Sequence, residues 1–384
     1  MSTTTPQGFL AAGVAAGIKS SGNRDVALVV NQGPKFHAAG VFTSNRVKAA
    51  PVLWSQQVLS STHAVKAVVL NSGGANACTG PDGFADTHHT AEHVASILGI
   101  AAIDVAVCST GLIGARLPMD KLLAGIGAAA AGLSSTGGDD AALAIMTTDS
   151  VPKTAQRQGT GYAIGGMAKG AGMLAPGLAT MLVVLTTDAD VAPEQLQVAL
   201  RKATSRSFDR IDSDGCMSTN DTVLLLANGA SGVTPSESEF ENLLAEVCAE
   251  LARKLIGDAE GASKDIRIHV SAAASEPEAL DVARAISRSN LLKCAIHGED
   301  PNWGRVLAAI GTTSASFNPD EIDVAINGVW VCRNGMTGDD RNLVDMSGRE
   351  VVITVSLRAG DAEATLWTND LTAMYVHENS AYSS

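Results

Sequence analysis

The sequence of 384 residues has no long hydrophobic run and no block of basic residues. Its most apolar stretches, 181–185 and 223–227, have strand length and fall far short of the roughly 20 residues that span a membrane. No run of Lys or Arg exceeds two residues, and 40 acidic against 27 basic residues give a net charge of −13. A broad nucleic-acid surface needs clustered positive charge, so composition argues against membrane and nucleic-acid partners.

Aromatic residues are scarce, at 4% of the chain, and charged residues make up only 17%. Apolar residues reach 46%, which excludes an intrinsically disordered chain and is enough to bury a large core. With few rings available, that core must be built from close-packed Ala, Val, Leu and Ile, and the 38 glycines indicate many tight turns.

Signals for a metal or a phosphate-binding loop are weak. The cysteines are scattered, with no C-x2-C spacing, and are expected to be reduced and mostly buried: Cys78, Cys108, Cys216, Cys248, Cys294 and Cys332. His89 and His93 stand four residues apart on a predicted helix, but no third ligand is evident, and a solvated helix face explains them better than a metal. No G-x4-G-K-[ST] motif occurs. We therefore expect neither a metal nor a bound cofactor.

The first residues carry no positively charged segment, and glycines interrupt the apolar stretch that follows. A secretory signal needs both a basic segment and an unbroken apolar one. A cytoplasmic location is therefore expected.

Strand and helix patterns alternate along the whole chain, which predicts an α/β or α+β class. The clearest helix is 236–256, where one apolar stripe follows 3.6-residue spacing and Ser236 with Glu239 forms a capping-box pattern. The run 181–185 predicts a buried strand. Near the C-terminus, 351–357 and 362–368 flank an Ala-Gly-Asp turn and predict a hairpin.

A threonine, Thr180, stands where a glycine-rich segment enters the apolar run 181–185. A threonine hydroxyl is a poor nucleophile without a base, and cutting the chain before Thr180 would make its own α-amine that base. A glycine-rich approach can strain the Ala179–Thr180 peptide toward attack by the Thr180 hydroxyl. On these residues alone, an ordinary glycine loop leading into a strand remains the alternative.

Taken together, a series of ordered motifs resembles the self-processing ornithine acetyltransferases of the arginine pathway, also called the bifunctional glutamate N-acetyltransferase family. The likeness extends over almost the whole chain and is strongest to actinobacterial members. The matching segments are 8–19, 71–80, 109–114, 146–149, 169–176, 178–182, 217–222, 300–305 and the tail 375–384.

The resemblance implies a layered α/β sandwich like that of the self-cleaving aminopeptidases, with a smaller C-terminal lobe. It implies two chains from one precursor, an α chain of 1–179 and a β chain of 180–384, assembled as two α and two β chains. Within the fold, the main lobe is expected at about 1–275 and the smaller lobe at about 276–384.

The family's functional positions can be transferred residue by residue. The resemblance implies that Thr180 is the nucleophile, freed by cleavage after Ala179, and that Thr110 and Gly111 form the oxyanion hole. The implied substrate-contacting residues are Thr147, Lys169, Thr180, Glu260, Asn379 and Ser384.

The chemistry of these residue types agrees with such roles. Lys169 could pair with a substrate α-carboxylate, and Glu260 with the ammonium of an ornithine side chain. Ordinary surface charge is the alternative for both residues. For Asn379 and Ser384, which lie in the tail, a frayed terminus is the alternative.

The implied reaction transfers the acetyl group of N2-acetyl-L-ornithine to L-glutamate through an acetyl-Thr180 intermediate, with acetyl-CoA as a further co-substrate if the enzyme is bifunctional. Two other functions stay open. One is an amidase or aminopeptidase that uses the same self-cleaved nucleophile, and the other is an amino-acid-binding protein without catalysis.

Overall fold

In the computed structural model, which describes residues 2–175 and 181–381, the chain divides into two units. The first unit contains the described residues 2–209 and 216–258, and the second contains 210–215 and 259–381. The second unit thus takes in the short segment 210–215 as well as the residues from 259 on, and the lobes expected at about 1–275 and about 276–384 stay a prediction.

The first unit contains nine strands and six α-helices among its described residues. The strands are β1 (Phe9–Val14), β2 (Val26–Asn31), β3 (His37–Phe42), β4 (Ala67–Ser72), β5 (Val105–Thr110), β6 (Lys153–Gln158), β7 (Ala163–Lys169), β8 (Leu182–Thr187) and β9 (Thr222–Ala227). The helices are α1 (Ala50–Thr62), α2 (Gly80–Leu98), α3 (Met119–Ala131), α4 (Gly138–Ala144), α5 (Pro193–Ser205) and α6 (Glu237–Gly257).

Two stacked sheets form the core of the first unit. One sheet has the strand order β1-β2-β4-β5 and the other β3-β9-β8-β7-β6. Val184 and Leu224 of the second sheet share one apolar cluster with Leu28 and Val68 of the first, so the two inner faces pack together. Helices α2 and α3 contact the first sheet, and α5 and α6 contact the second. This helix–sheet–sheet–helix layering confirms the expected α/β sandwich.

Two local expectations are confirmed in this unit. Helix α6 begins after Ser236, whose hydroxyl accepts a hydrogen bond from the Glu239 amide at 3.3 Å, and it buries the apolar stripe. Strand β8 is buried at every residue because both of its faces are covered. A strand covered on both faces has to be a continuous apolar run, which is the pattern that predicted it.

The second unit contains one six-stranded sheet and four α-helices within its described residues. The strands are β10 (Asp265–Ala273), β11 (Asp323–Ile326), β12 (Val329–Arg333), β13 (Met336–Thr337), β14 (Glu350–Ser356) and β15 (Ala362–Asn369), in the order β13-β12-β11-β14-β10-β15. The helices are α7 (Glu276–Ser287), α8 (Asn290–His297), α9 (Trp303–Ile310) and α10 (Ala373–Ala381).

The predicted hairpin of β14 and β15 is wrong. Both strands form close to where the pattern placed them, but β10 lies between them, parallel to β14 and antiparallel to β15. A turn sequence between two strands predicts local pairing, yet it cannot reveal that a strand from some 80 residues earlier takes the central place.

None of the helices in 2–175 and 181–381 combines the length and the hydropathy that a membrane span requires.

Candidate active site

Thr110 and Gly111 lie where the first sheet ends. Thr110 closes β5 and is buried, and its carbonyl accepts hydrogen bonds from the amides of Gly73 and Gly74 at 2.9 and 3.0 Å. Because β4 and β5 are parallel, with Ser72 beside Thr110, the two loops that follow these strands leave the sheet at the same edge. Loops at the carboxyl ends of parallel strands are a common place for a site.

Gly111 has a backbone conformation that other residues rarely adopt, with φ of +130°. A Cβ atom built there would lie 2.5 Å from the Gly74 nitrogen and 2.7 Å from the Gly73 carbonyl carbon. The position therefore presents only its backbone. An oxyanion hole built partly from a main-chain amide needs such an uncovered backbone.

Buried amide groups hold this loop in place. Asn220 donates from Nδ2 to the carbonyls of Ala75 and Ser109 at 2.6 and 2.8 Å. The Ser109 hydroxyl donates to Asn71 Oδ1 at 2.6 Å, and Asn71 Nδ2 donates to the Gly74 carbonyl at 3.0 Å. The network joins the end of β5 to the loop after β4 and to the segment before β9, and each bond is buried and therefore costly to break.

Lys169 is the last residue of β7, and only 1% of it is exposed. Its ammonium donates to Thr110 Oγ1 at 3.1 Å. A buried lysine normally has charged or polar partners, so its position here is not that of a surface charge. A hydroxyl that accepts from an ammonium becomes a stronger donor, which suits Thr110 to stabilise a developing negative charge.

Asp149 is a buried carboxylate whose pKa is affected by the charge of Lys169. It accepts from Lys153 Nζ at 2.6 Å, from the Gly170 amide at 2.7 Å and from the Thr147 amide at 2.9 Å. Burial alone would raise the pKa of Asp149, but the charges of Lys169 and Lys153 and the hydrogen bonds outweigh it and lower that pKa to about 2. Asp149 is therefore ionised at neutral pH and balances the buried lysines.

Asp221 precedes β9 and is completely buried. Its Oδ1 accepts the amide of Met181 at 3.0 Å, and the Thr222 amide donates to the Met181 carbonyl at 3.1 Å. Burial raises the pKa of Asp221 well above its usual value, against the opposing effects of the Met181 amide and the Lys169 charge. Both the amide and the carbonyl of Met181, the residue before β8, are thus hydrogen-bonded, which fixes the backbone where β8 begins.

The second unit contains two other predicted residues. Asn379, on α10, donates from Nδ2 to Glu260 Oε2 at 2.9 Å and to the Tyr375 carbonyl at 3.0 Å. Asn379 is exposed and Glu260 is half-buried. The two predicted residues therefore form one polar pair, and α10 is ordered as a helix up to Ala381.

The structure brings together part of the predicted site. Thr110, Gly111 and Lys169 meet at one place, and Asp149 links the Thr147 amide to that of Gly170, the residue after Lys169. Ala179, Thr180 and Ser384 lie outside the described residues. Among the residues described, no group of three or more His, Cys, Asp or Glu side chains is arranged to hold a metal ion.

Sequence reasoning missed several charged and amide groups around the site. Asp149, Asn220 and Asp221 belong to segments that carried the family resemblance, but no role was assigned to them. The available signal was a run of polar residues directly before a buried-strand pattern, as in 217–222 followed by the apolar run 223–227.

Comparison with known proteins gives a consistent result. The profile described as "ArgJ family" matches residues 10–384. The chain is 68% identical to the "Arginine biosynthesis bifunctional protein ArgJ" of Streptomyces coelicolor and 58% identical to that of Bifidobacterium longum, in each case over 100% of both chains. A solved structure of ornithine acetyltransferase complexed with ornithine, from Mycobacterium tuberculosis, is 58% identical over 47% of this chain and 96% of that chain, with a TM-score of 0.43.

Proposed function

Since the chain belongs to the ArgJ family and is thus an acetyltransferase of arginine biosynthesis, we propose that it moves the acetyl group of N2-acetyl-L-ornithine to L-glutamate through Thr180. Membership is established by the match over residues 10–384 and by full-length relatives, and it confirms the resemblance seen in the motifs. It favours acetyl transfer over the amidase and the binding-protein alternatives. The observation that supports the proposed site best is the buried contact between Lys169 and Thr110, next to Gly111.

In the first half-reaction, the Thr180 hydroxyl attacks the acetyl carbonyl of N2-acetylornithine while the α-amine of Thr180 takes the hydroxyl proton. The carbonyl oxygen becomes an oxyanion, which accepts hydrogen bonds from the Thr110 hydroxyl and the Gly111 amide. Collapse of this intermediate breaks the bond to the ornithine nitrogen, which takes the proton from the Thr180 amine and leaves. Acetyl-Thr180 remains as an ester.

In the second half-reaction, the amine of glutamate attacks the acetyl-Thr180 ester. The same two donors stabilise the second oxyanion, the Thr180 oxygen is the leaving group, and it regains a proton. The products are N-acetylglutamate and the free enzyme. Because relatives carry the word bifunctional in their name, acetyl-CoA is proposed as an alternative donor that loads the same threonine.

The nucleophile is generated by self-cleavage. The Thr180 hydroxyl attacks the Ala179 carbonyl, and the acyl group shifts from nitrogen to oxygen, which frees the α-amine. Water then hydrolyses the ester, which releases the Ala179 carboxylate and restores the Thr180 hydroxyl. The products are chains of 1–179 and 180–384, which we propose to assemble as two of each in the cytoplasm.

The remaining predicted residues are proposed to bind substrates. Lys169 supplies a cation for the α-carboxylate, and Glu260 an anion for the ornithine ammonium. Thr147, Asn379 and Ser384 supply polar contacts. The assignment of Lys169 is supported by its burial, since a buried cation gains most from a bound anion.

The experiment is an intact-mass spectrum combined with an exchange assay. The wild-type protein should give two chains that begin at residues 1 and 180, and incubation with acetylornithine should add one acetyl group to the second chain. Thr180→Ala should remain a single inactive chain, whereas Thr187→Ala, at the other end of β8, should still be cut. Full activity of an uncut chain would disprove the mechanism, and turnover with water as the only acceptor would favour a hydrolase.

A further inference from the structure

A cavity of about 460 Å³ opens beside the candidate site in the first unit. Its walls come from Lys19 and the loop 21–24 on one side and from Leu143, Met146, Thr147 and Asp149 on the other. Thr147 and Asp149 belong to the cluster around Lys169, because the Asp149 carboxylate binds the amides of both Thr147 and Gly170. The cavity therefore adjoins the cluster around Lys169, and it is large enough for a small polar group and water.

Lys19 is a half-buried cation on the wall of this cavity. Its ammonium donates to the Arg24 carbonyl at 2.8 Å and to the Met146 carbonyl at 2.6 Å. An ammonium has three protons, so these two bonds leave one for a further acceptor. Neither contact is with a carboxylate, and neither cancels the charge of Lys19.

The loop that carries Lys19 is fixed by a buried carboxylate. Asp25 is fully buried and accepts the amides of Ala16 and Ile18 at 2.6 Å each and that of Lys19 at 3.0 Å. The ammonium thus projects from a backbone that is held by three charge-assisted hydrogen bonds. A preorganised cation of this kind costs little further ordering when a ligand binds.

The charges around the cavity favour an anion. Asp149 on the wall is matched by Lys153 at 2.6 Å, and Asp140 by the guanidinium of Arg24. Burial lowers the pKa of Lys19, and the nearby charge of Lys169 lowers it further, while Asp25 and Asp149 raise it. An incompletely solvated ammonium gains free energy when a carboxylate replaces the lost water.

The two amino acids of the proposed reaction differ at their far ends. Ornithine carries an ammonium there and glutamate carries a carboxylate, whereas both share the α-carboxylate and the reacting nitrogen. A carboxylate such as Glu260, which suits the ammonium of ornithine, would repel the γ-carboxylate of glutamate. The acceptor therefore requires a cationic group that the donor does not need.

We propose that this cavity receives the γ-carboxylate of glutamate and that Lys19 is its cationic partner, a specificity-determining residue for the acceptor. The inference rests on the proposed function, because it assigns a part of the same site. It concerns only the second half-reaction, in which glutamate removes the acetyl group from the enzyme. The two half-reactions of a ping-pong exchange can be measured separately, so the inference can be tested apart from the function.

The test compares the full-length processed enzyme with Lys19→Gln, which keeps donors for the two carbonyls but removes the charge. Loading is followed with acetylornithine by intact mass, and unloading is then followed with glutamate. In Lys19→Gln we expect kcat/KM for glutamate in the unloading step to fall about 10- to 100-fold below the wild-type value, mainly through a higher KM. The rate of loading from acetylornithine should change much less. Glutamine, which lacks the γ-carboxylate charge, should lose much less, so the preference for glutamate over glutamine should nearly disappear.

Two further variants keep the test decisive. Lys19→Arg retains the charge and should restore most of the preference for glutamate even if its stability changes. Lys35→Gln removes a lysine of the same unit that is 45% exposed and paired with Asp190, and it should leave the preference unchanged. Thermal unfolding checks that each variant is folded.

Three results would overturn the inference. The first is an unchanged preference for glutamate in Lys19→Gln, and the second is an equal loss of rate in loading and unloading. The third is a loss of rate confined to loading from acetyl-CoA, which would assign the cavity to the phosphates of that donor. Failure of the wild-type enzyme to load from acetylornithine would instead disprove the proposed function.

Discussion

Lys169 and Thr110 are 59 residues apart in the chain, yet the lysine ammonium donates to the threonine hydroxyl at 3.1 Å. The contact joins the end of β7 in one sheet to the end of β5 in the other. Because the hydroxyl accepts from a cation, its own proton is available to a substrate oxygen and is a better donor than that of an isolated threonine. This relationship leads to the first prediction.

Thr110→Val should lower kcat of acetyl transfer by about 10²- to 10³-fold, because one of two donors to the oxyanion is lost. KM should change little, since the donor acts mainly in the transition state. Thr110→Ser keeps the hydroxyl and should retain most of the activity. Steady-state kinetics with acetylornithine and glutamate measure both variants. If Thr110→Val were as active as the wild type, Thr110 would not belong to the oxyanion hole.

Substitution of Asp221 should affect self-cleavage. Asp221→Ala removes the acceptor of the Met181 amide, which is one peptide bond from Thr180, and a lost buried hydrogen bond costs about 1–3 kcal/mol. We expect slower appearance of the two chains on a denaturing gel, while Asp221→Asn, which keeps an acceptor oxygen, should be cut nearly as fast as the wild type.

Asp188 provides the matched control for Asp221. It is also buried, follows β8 at its other end, and accepts the amides of Ala163 and Gln7 at 2.7 and 2.9 Å. Asp188→Ala, the same substitution at the other end of β8, should leave the cleavage rate unchanged. Equal cleavage rates for Asp221→Ala and the wild type would rule out a positioning role for Asp221.

The raised pKa of Asp221, caused chiefly by burial, also predicts a pH dependence of stability. Above the unfolded pKa of about 3.9, the unfolded state has lost this proton while the folded state keeps it, so the contribution of Asp221 to stability falls as pH rises. Asp221→Asn cannot lose a proton there. The free energy of unfolding of Asp221→Asn, measured in urea, should therefore rise relative to that of the wild type as the pH increases from 4 to 7. A constant difference across this range would contradict the prediction.

Asp149 should behave in the opposite way, because its folded pKa is lowered to about 2. Its contribution to stability is present above the unfolded pKa and is lost as pH falls through the folded pKa. At pH 6, Asp149→Asn leaves the buried Lys153 with Asp258, also at 2.6 Å, as its remaining carboxylate partner, and it should destabilise the protein by about 1–3 kcal/mol.

The destabilisation by Asp149→Asn should shrink as pH falls from about 4 toward 2, because the wild type then loses the same charge. Asp190→Asn removes a carboxylate in the exposed pair with Lys35 and should cost less than about 1 kcal/mol at every pH. Denaturant unfolding over this pH range gives both curves. A pH-independent effect of Asp149→Asn would show that the ionised form of Asp149 does not stabilise the fold.

The cysteines should separate by reactivity toward iodoacetamide. Burial raises the pKa of Cys108 to about 12 and also raises that of Cys248, and Cys332 is buried as well. The other three cysteines are exposed: Cys78, Cys216 and Cys294. Because the thiolate is the reactive species, native protein should take up three labels and denatured protein six, as counted by mass spectrometry. Labelling of Cys108 in the native state would contradict the buried position of β5.

Much of the fold and the ordered motifs of the site could be predicted from the chain itself. The stripe of α6 and the continuous apolar run of β8 depend on residues a few positions apart, and their geometry follows from the periods of a helix and a strand. The motif around Thr110 and Gly111 was recognised in the same way, as a short local pattern.

Local pattern did not predict which distant strands or charges meet. The sequence predicted β14 and β15 as neighbours, but β10 pairs with both of them. It also gave no sign that Lys169 would be buried against Thr110, or that Asp149 would balance the lysines around it.

The amino-acid sequence by itself therefore determined the secondary structure, the α/β class and the family, because short-range periodicity and ordered motifs are properties of neighbouring residues. Only the tertiary structure decided the strand order in the six-stranded sheet of the second unit, the Lys169–Thr110 contact and the cavity beside Lys19. Those features depend on long-range packing, where burial removes water and makes each charge dependent on partners far away in the chain.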